Sequence, residues 1–393
     1  MILVLAFLWV IFVPLLLWQL LRWLPTGADK YNPLPYIIAL LPLATYIAGA
    51  LLLCNFGAFL FFACYAEKVT QSLTLAQSYA YLCIAYAVLF LISLKSYTPY
   101  CFGRLRRLRE SRSSRKRQEK QHQEIRVMTL NCRYGKADAF HIIKIAKKYH
   151  INTLLLQELS ESLVKNLEKL GIYEIFPTSC VGAQSKHNNG GFNAIFTQYS
   201  PIATCNNAVK IEAASVPSVT TCLDFGATKK VSVKFASAHP KSPMRGCTAW
   251  SKGIRTLVTL ISTHQAVETT KNIATTKIAK DMNIEETSST GTRKTKETDN
   301  TATLTVLTGD LNSAVDHPSF RALTKAGFVD SGISIGKRLH TWPTWLNWPN
   351  LTLDHVLFCA KNCEAQAVWQ KNVIIDGTDH LAYIATITIY PLN

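Results

Sequence analysis

Three long stretches without charge decide what the first quarter of this chain can be. No Asp, Glu, Lys or Arg occurs in residues 1–21, 31–66 or 69–94. Each run reaches the ~20 residues that a helix needs to cross about 30 Å of hydrocarbon. Lipid offers no water to the backbone amides, so such a run must satisfy them internally as a helix. We therefore expect a membrane region over 1–95, with transmembrane helices near 2–24, 36–64 and 72–94. Pro33, Pro35 and Pro42 set the start of the second helix. The first run lacks a basic leading segment and two more spans follow it, unlike a cleaved signal peptide. Trp18, Trp23, Tyr31, Tyr36, Tyr97 and Tyr100 fall near the expected ends, as interfacial aromatics do.

The charge of +17 is unevenly placed. Residues 1–120 hold 13 Lys and Arg against 4 Asp and Glu, and residues 121–393 hold 29 against 21. Much of the first excess is a collar of Arg104, Arg106, Arg107, Arg109, Arg112, Arg115, Lys116, Arg117 and Lys120. It lies in a basic juxtamembrane linker, 96–122. A collar of this kind binds anionic lipid or nucleic acid, or serves only as a topology signal on a solvated linker. Counted as a topology signal, it places the amino terminus outside and the soluble part in the cytoplasm of a multi-pass membrane protein. The 11 cysteines include no CxxC pair and no Cys/His zinc spacing. They leave room for one or two disulfides among reduced, partly buried thiols.

Residues 123–393 are long enough to bury a large core, and their apolar runs end in polar residues. Residues 125–130 form a strand that ends at Asn131. A helix with apolar spacing follows over 140–149, and a buried strand over 151–157 leads to Glu158. This βαβ start implies parallel pairing. A helix through 162–170 stops at Gly171, and a glycine turn at 187–191 precedes a strand over 192–197. The strand 231–238 ends at His239, followed by Pro240, Lys241, Ser242 and Pro243, as in a loop that faces a ligand. A helix spans 250–260. Residues 263–303 hold 12 Thr, 6 Lys and Arg, and 6 Asp and Glu, which reads as a flexible surface insertion. The strand 305–309 ends at Asp310, with Asn312 two residues on, and a helix over 318–326 is closed by Gly327. Trp342, Trp345 and Trp348 sit in a Pro-containing loop that is either a substrate-facing wall or a packed cover. Asp354 lies between apolar residues, and Asp379 and His380 precede the last strand. Carboxylates, an amide and histidines at strand ends are the parts of a hard-metal phosphoester site. No G-x-S-x-G elbow is present, which excludes a serine-triad reading.

Taken together these stretches resemble the endonuclease/exonuclease/phosphatase superfamily over about 125–390, and in particular its membrane-tethered bacterial members. The motifs stand in the family order: L-N-C-R at 130–133, L-Q-E at 156–158, S-A-H-P at 237–240, G-D-L-N-S at 309–313, L-D-H-V-L at 353–357 and T-D-H at 378–380. The resemblance implies an α/β (α+β) four-layer sandwich of two mixed β-sheets flanked by helices, DNase I-like, with the site at one end. It implies Mg²⁺ or Mn²⁺ as cofactor. Glu158 would be the chief metal ligand, helped by Asn131, with Asp379 beside the metal or a second one. Asp310 and Asn312 would orient the attacking water and a phosphate oxygen. His380 would pair with Asp354, and His239 would donate to the non-bridging oxygens. Three positions depart from the family pattern: Thr378 for Ser, Leu311 for an aromatic and Gln198 for Arg.

The expected activity is hydrolysis of a phosphodiester or phosphomonoester by a metal-activated water at a membrane-anchored site. Nucleic acid and phospholipid or phosphoinositide-type headgroups both suit the family. A non-catalytic, membrane-anchored binding module of the same fold is the alternative of another class. Tethered relatives leave an extracytoplasmic placement of the domain open.

Overall fold

The computed structural model describes residues 2–65, 70–112, 121–184, 190–226, 229–262, 301–346, 348 and 350–392. The Thr-rich insertion expected over 263–303 lies almost wholly outside these residues.

Twelve strands form two six-stranded sheets. The first runs in the order β11 (Cys363–Ile374), β12 (Leu381–Pro391), β1 (Gln123–Asn131), β2 (Thr153–Leu159), β4 (Phe192–Thr197), β3 (Thr178–Val181). The second runs β5 (Ala203–Cys205), β6 (Ser218–Asp224), β7 (Lys230–Ser237), β8 (Ala302–Asp310), β10 (Asp354–Lys361), β9 (Val329–Asp330). Each sheet has one parallel pair near its centre, β1 with β2 and β7 with β8, and antiparallel partners elsewhere.

The sheets pack face to face because alternate residues of the central strands are apolar toward each other. Val127, Leu155, Ile195 and Ile387 of one sheet meet Val233, Phe235, Val306 and Val356 of the other. The opposite faces are apolar too, which is why these strands read as continuous runs rather than alternating ones. Met128, Leu154 and Leu156 are covered by the helices Ala139–Lys148 and Glu161–Lys169, through Ile142, Ile143 and Leu163. Leu307 and Leu357 are covered by the helices Cys247–Thr256 and Phe320–Lys325, through Trp250, Ile254 and Leu323. Helix, sheet, sheet and helix are the four layers expected from the sequence.

One polar cluster interrupts the inter-sheet core, just below the site. Gln157 donates to Ser237 Oγ (2.9 Å) and accepts from Thr129 Oγ1 (3.1 Å). It ties β1, β2 and β7 together where their last residues must keep register. A second buried pair lies farther out: His355 Nδ1 is 2.9 Å from Asp330 Oδ2. Burial alone would lower the His355 pKa, but the Asp330 carboxylate outweighs it and raises it. Asp330 also caps the helix Ser331–Ile335, accepting from Ile333 N at 3.0 Å. Asp330→Ala leaves a buried imidazole without its counter-charge and a helix without its cap. We expect a loss of roughly 3 kcal/mol or more, read as a lower melting temperature of the full-length chain.

Three helices are long and apolar enough to cross a membrane, over Leu3–Trp23, Leu41–Cys64 and Ser72–Ser96. The second starts later than residue 36. A separate short helix, Leu34–Ala39, ends at Leu40, and the long one begins at Leu41 with Pro42 in its first turn, where the missing proline amide costs nothing. The three pack through Tyr86 Oη, which donates to Leu8 O (2.7 Å), and a stacked Phe62–Tyr79 pair. The linker stretch holds a helix, Thr98–Arg112. Gly103 lets it lie against the two-sheet domain, since a Cβ there would stand 1.7 Å from Ile333 O. Arg115, Lys116, Arg117 and Lys120 of the collar lie outside the described residues.

Candidate active site

The topology gathers the polar strand ends on one side of the sandwich. Four chain directions leave the sheets there: β1 at Asn131, β2 at Glu158, β7 just before His239, and β8 at Asp310. Two enter there: β10 at Asp354, in register with Asp310, and β12 just after Thr378, Asp379 and His380. The eight candidates named from sequence thus lie at one end, and seven of them line one cleft of about 600 Å³. The eighth, Asp354, is fully buried behind His380.

Asn131 stands between two carboxylates. Its Nδ2 donates to Asp310 Oδ2 (2.9 Å) and Glu158 Oε1 (3.2 Å), while its Oδ1 accepts from Arg133 N (2.8 Å). His239 Nε2 faces the same two carboxylates, 3.7 Å from Glu158 Oε1 and 3.6 Å from Asp310 Oδ2. His380 Nε2 is also 3.6 Å from Asp310 Oδ2, and its Nδ1 is 2.8 Å from Asp354 Oδ2. Asn312 N donates to Asp310 Oδ1 (2.8 Å). Asp379 is turned toward Arg133 Nε (3.6 Å) and accepts from Trp342 Nε1 (3.3 Å).

The placement of Glu158 has a local cause. β2 carries one extra residue against β4 between Leu156 and Leu159, and Glu158 sits in that bulge at φ +52°. A bulge re-aims a side chain that strict alternation would direct elsewhere. Its Oε2 accepts from Tyr134 N (2.9 Å). Arg133, Tyr134 and Asn312 also have positive φ, so four of the six such non-glycine residues described line this cleft. Each costs on the order of 1–3 kcal/mol and persists only where the surroundings enforce it. Residues 187–189 of the expected glycine turn lie outside the described residues, but Gly190 and Gly191 lie against the bulge: at Gly190 (φ +90°) a Cβ would lie 2.5 Å from Glu158 Oε2.

The departures noted in the sequence have simple structural outcomes. Thr378 donates to Asn131 O (2.7 Å) and accepts from His380 N (3.2 Å), a hydroxyl role that serine could fill equally. Leu311 is fully buried in the cluster around Trp250. Gln198 is an exposed partner of Asn152. The tryptophans divide their work: Trp342 lines the cleft, Trp345 stands edge-on to it, and Trp348 stands edge-on to Tyr46 of the second span.

Electrostatics set the state of the histidine pair. Burial alone would lower the His380 pKa, yet the Asp354 and Asp310 carboxylates together raise it to about 10. Burial raises that of Asp354, against the pull of His380. Asp310, Asp354 and His380 each offer a ligand atom within 4.8 Å of the others, a group that could hold a metal ion and that shares no residue with Asn131, Glu158 and Asp379. In that group Asp354 and His380 already bond each other. Glu158 and Asp310 instead bring two oxygen donors together beside Asn131. A set of oxygens converging with no Lys or Arg of the described residues bonded between them suits a hard cation.

Residues 128–380 match the Endonuclease/Exonuclease/phosphatase family. The chain belongs to that family. Membership makes it a phosphoesterase-type hydrolase, and all eight candidates fall within the matched span. No curated protein sequence matches the chain. Among solved structures it is similar to D. rerio TDP2 complexed with a single-strand DNA product (15% identity, TM-score 0.46, covering 67% of this chain and 98% of that one). It is similar also to sphingomyelinase C from Streptomyces griseocarneus (14%, TM-score 0.39, 67% and 99%). The human Nocturnin catalytic domain is a third (16%, TM-score 0.41, 70% and 98%).

Several residues at the site of this family member were not among the sequence candidates. Arg245 donates to Tyr134 Oη (2.8 Å) across the cleft. Its loop had been marked by His239-Pro240, a signal that extends to it. Thr341 Oγ1 accepts from Leu353 N (2.9 Å) and Asp354 N (3.1 Å), and its carbonyl accepts from Leu381 N (2.8 Å). Pro35 and Tyr36, from the segment between the first two spans, also line the cleft. Pro35 and Tyr36 read in sequence only as a helix-start proline and an interfacial aromatic, and nothing local assigns them or Thr341 to the site.

Proposed function

We propose that the chain is a membrane-anchored, divalent-metal-dependent hydrolase of phosphoesters, using Mg²⁺ or Mn²⁺. The observation that carries this is the convergence of Glu158 Oε1 and Asp310 Oδ2 on Asn131, with both His239 and His380 facing Asp310 at 3.6 Å. Glu158, with Asn131 and Asp379 nearby, would hold the cation, and Asp310 lies close enough to share it. The cation would supply Lewis-acid charge to the phosphoryl oxygens and the attacking water.

The remaining chemistry belongs to the chain's own groups. Both ring nitrogens of His380 face carboxylates, so the ring serves as a two-fold donor, oriented by Asp354. Asp310, flanked by two imidazoles and fixed by Asn131 and Asn312 N, accepts one proton from the water. The water oxygen bonds to phosphorus, the ester P–O bond breaks, and the leaving oxygen departs as an alcohol after taking up a proton. His239 and Arg133 offer donors to the non-bridging oxygens, where negative charge grows. Full-length protein in detergent, assayed with bis-p-nitrophenyl phosphate, tests this reading. Turnover that requires Mg²⁺ or Mn²⁺ and stops with EDTA is expected. No turnover with either ion would favour the binding-module alternative.

Gly190 provides a further check. Gly190→Ala places a methyl group against the Glu158 carboxylate. A displaced supporting contact of this kind costs about 10–100-fold in metal affinity, and we expect a loss of at least tenfold by metal titration.

The positive-inside rule places the catalytic domain in the cytoplasm. Arg22, Lys30, Lys95 and the collar lie toward its end of the spans, and only Lys68, beside Glu67, falls between the second and third. Protease added to intact cells should then leave the 263–303 region uncut, and cleavage without lysis would overturn this orientation.

A further inference from the structure

The membrane region contributes to the cleft, and this bears on what enters it. The segment between the first two spans is pinned to the catalytic domain by buried polar contacts. Asp29, fully buried, accepts from Ser319 N (2.8 Å) and from its hydroxyl. His317 Nε2 is 2.8 Å from Pro35 O. Arg321 donates to Arg22 O (2.6 Å) and to Leu24 O. Held this way, Pro35, Tyr36 and Ala39 line the same cleft as Glu158, Asp310 and His380. Ala39 is two residues before Leu41, the first residue of the second span. The catalytic cleft therefore reaches the membrane boundary.

Its surroundings there are apolar. Met244, in the cleft lining, is 85% exposed, and Trp345 and Trp348 nearby are 66% and 55% exposed. Trp348 stands edge-on to Tyr46, 5.6 Å away, at the start of the second span. Exposed apolar groups gathered at one place mark an interaction surface, and aromatics of this kind settle at lipid headgroup level. At the mouth of the cleft, the exposed Arg133 and Arg245 supply positive charge. A nucleic acid would ask for the reverse, a broad basic surface that tracks a phosphate backbone.

We infer that the substrate is a lipid phosphoester drawn from the leaflet beside the cleft. Its phosphate sits among Arg133, Arg245 and the histidines, and its apolar tail leaves past Tyr36 and Trp348. The inference rests on the hydrolase reading above and follows the same step: water oxygen joins phosphorus, one ester P–O bond of the lipid breaks, and the leaving oxygen is protonated to an alcohol.

The test uses full-length protein reconstituted with Mn²⁺ into vesicles of phosphatidylcholine, phosphatidylethanolamine, phosphatidylglycerol and phosphatidic acid. Quenched samples, extracted into detergent with EDTA, are read by ³¹P NMR for loss of each lipid signal, whichever ester bond breaks. Bis-p-nitrophenyl phosphate and a single-stranded oligonucleotide are assayed on the same preparation. Loss of a lipid signal at least tenfold faster than oligonucleotide cleavage is expected. Turnover of the soluble diester and the oligonucleotide with no lipid loss overturns the inference and leaves the hydrolase reading intact. No turnover of any of the three overturns both. In Tyr36→Asp the lipid rate should fall at least tenfold, and an unchanged rate counts against the wall. A metal-free readout is independent of turnover: phosphatidylethanolamine with a photoreactive headgroup, irradiated in EDTA, should label Arg133 or Tyr134. Labelling confined to the membrane helices would contradict it.

Discussion

Glu158→Gln is expected to lower kcat/KM toward a small soluble phosphodiester by at least about a thousand-fold, roughly 4 kcal/mol of transition-state stabilisation. Glutamine keeps the length of the side chain and an oxygen for Tyr134 N, so the bulge can persist. What it loses is the charge that, beside Asp310, the proposed cation site relies on. The same loss should leave the melting temperature unchanged or raise it, because Glu158 and Asp310 are two carboxylates converging on Asn131 and repel each other. Activity and stability moving apart is the signature. Equal loss of both would mean that Glu158 is a structural residue.

Asp354→Asn should lower kcat by at least about a hundred-fold and up to about ten-thousand-fold, the latter being the effect when the carboxylate that orients the histidine of a serine triad becomes an amide. Asp354 does not line the cleft. It is fully buried, and its Oδ2 lies 2.8 Å from His380 Nδ1. The amide can still hold the ring but no longer supplies charge to it, and its NH₂ can instead favour the wrong tautomer. On the proposed mechanism Asp354 acts through His380, so the Mn²⁺ affinity of the Glu158 end should change little while kcat falls. A kcat within about threefold of wild type would show that the pair only fills the core.

The two cases differ in how far the sequence exposes them. Glu158, Asp310 and His380 are legible because each adjoins a strand buried on both faces, whose apolar residues stop abruptly at a polar one. The pairing of Asp354 with His380 needs the register of β10 on β8, which the resemblance implied and local pattern does not contain. The bulge that aims Glu158 depends on how β2 meets β4 and has no signature in L-Q-E itself. The same holds for Thr341, which joins the entries of β10 and β12 through one hydroxyl and one carbonyl. The three spans are plain from charge alone, but the break at Leu40 needed more than the prolines around it. Tyr36 reads in sequence as an interfacial aromatic, and it takes the fold of a segment almost 300 residues from His317 and Ser319 to bring it to the active site.

The central claim is that a divalent cation held at Glu158 and its neighbours is what the reaction requires. The most direct measurement is Mn²⁺ occupancy, by electron paramagnetic resonance, and the rate of bis-p-nitrophenyl phosphate hydrolysis in the same titration of the full-length protein. The account predicts that the rate rises in step with occupancy, with one midpoint, and that Glu158→Gln loses both together. A rate already saturated while the site is empty, or a filled site with no turnover, would contradict it.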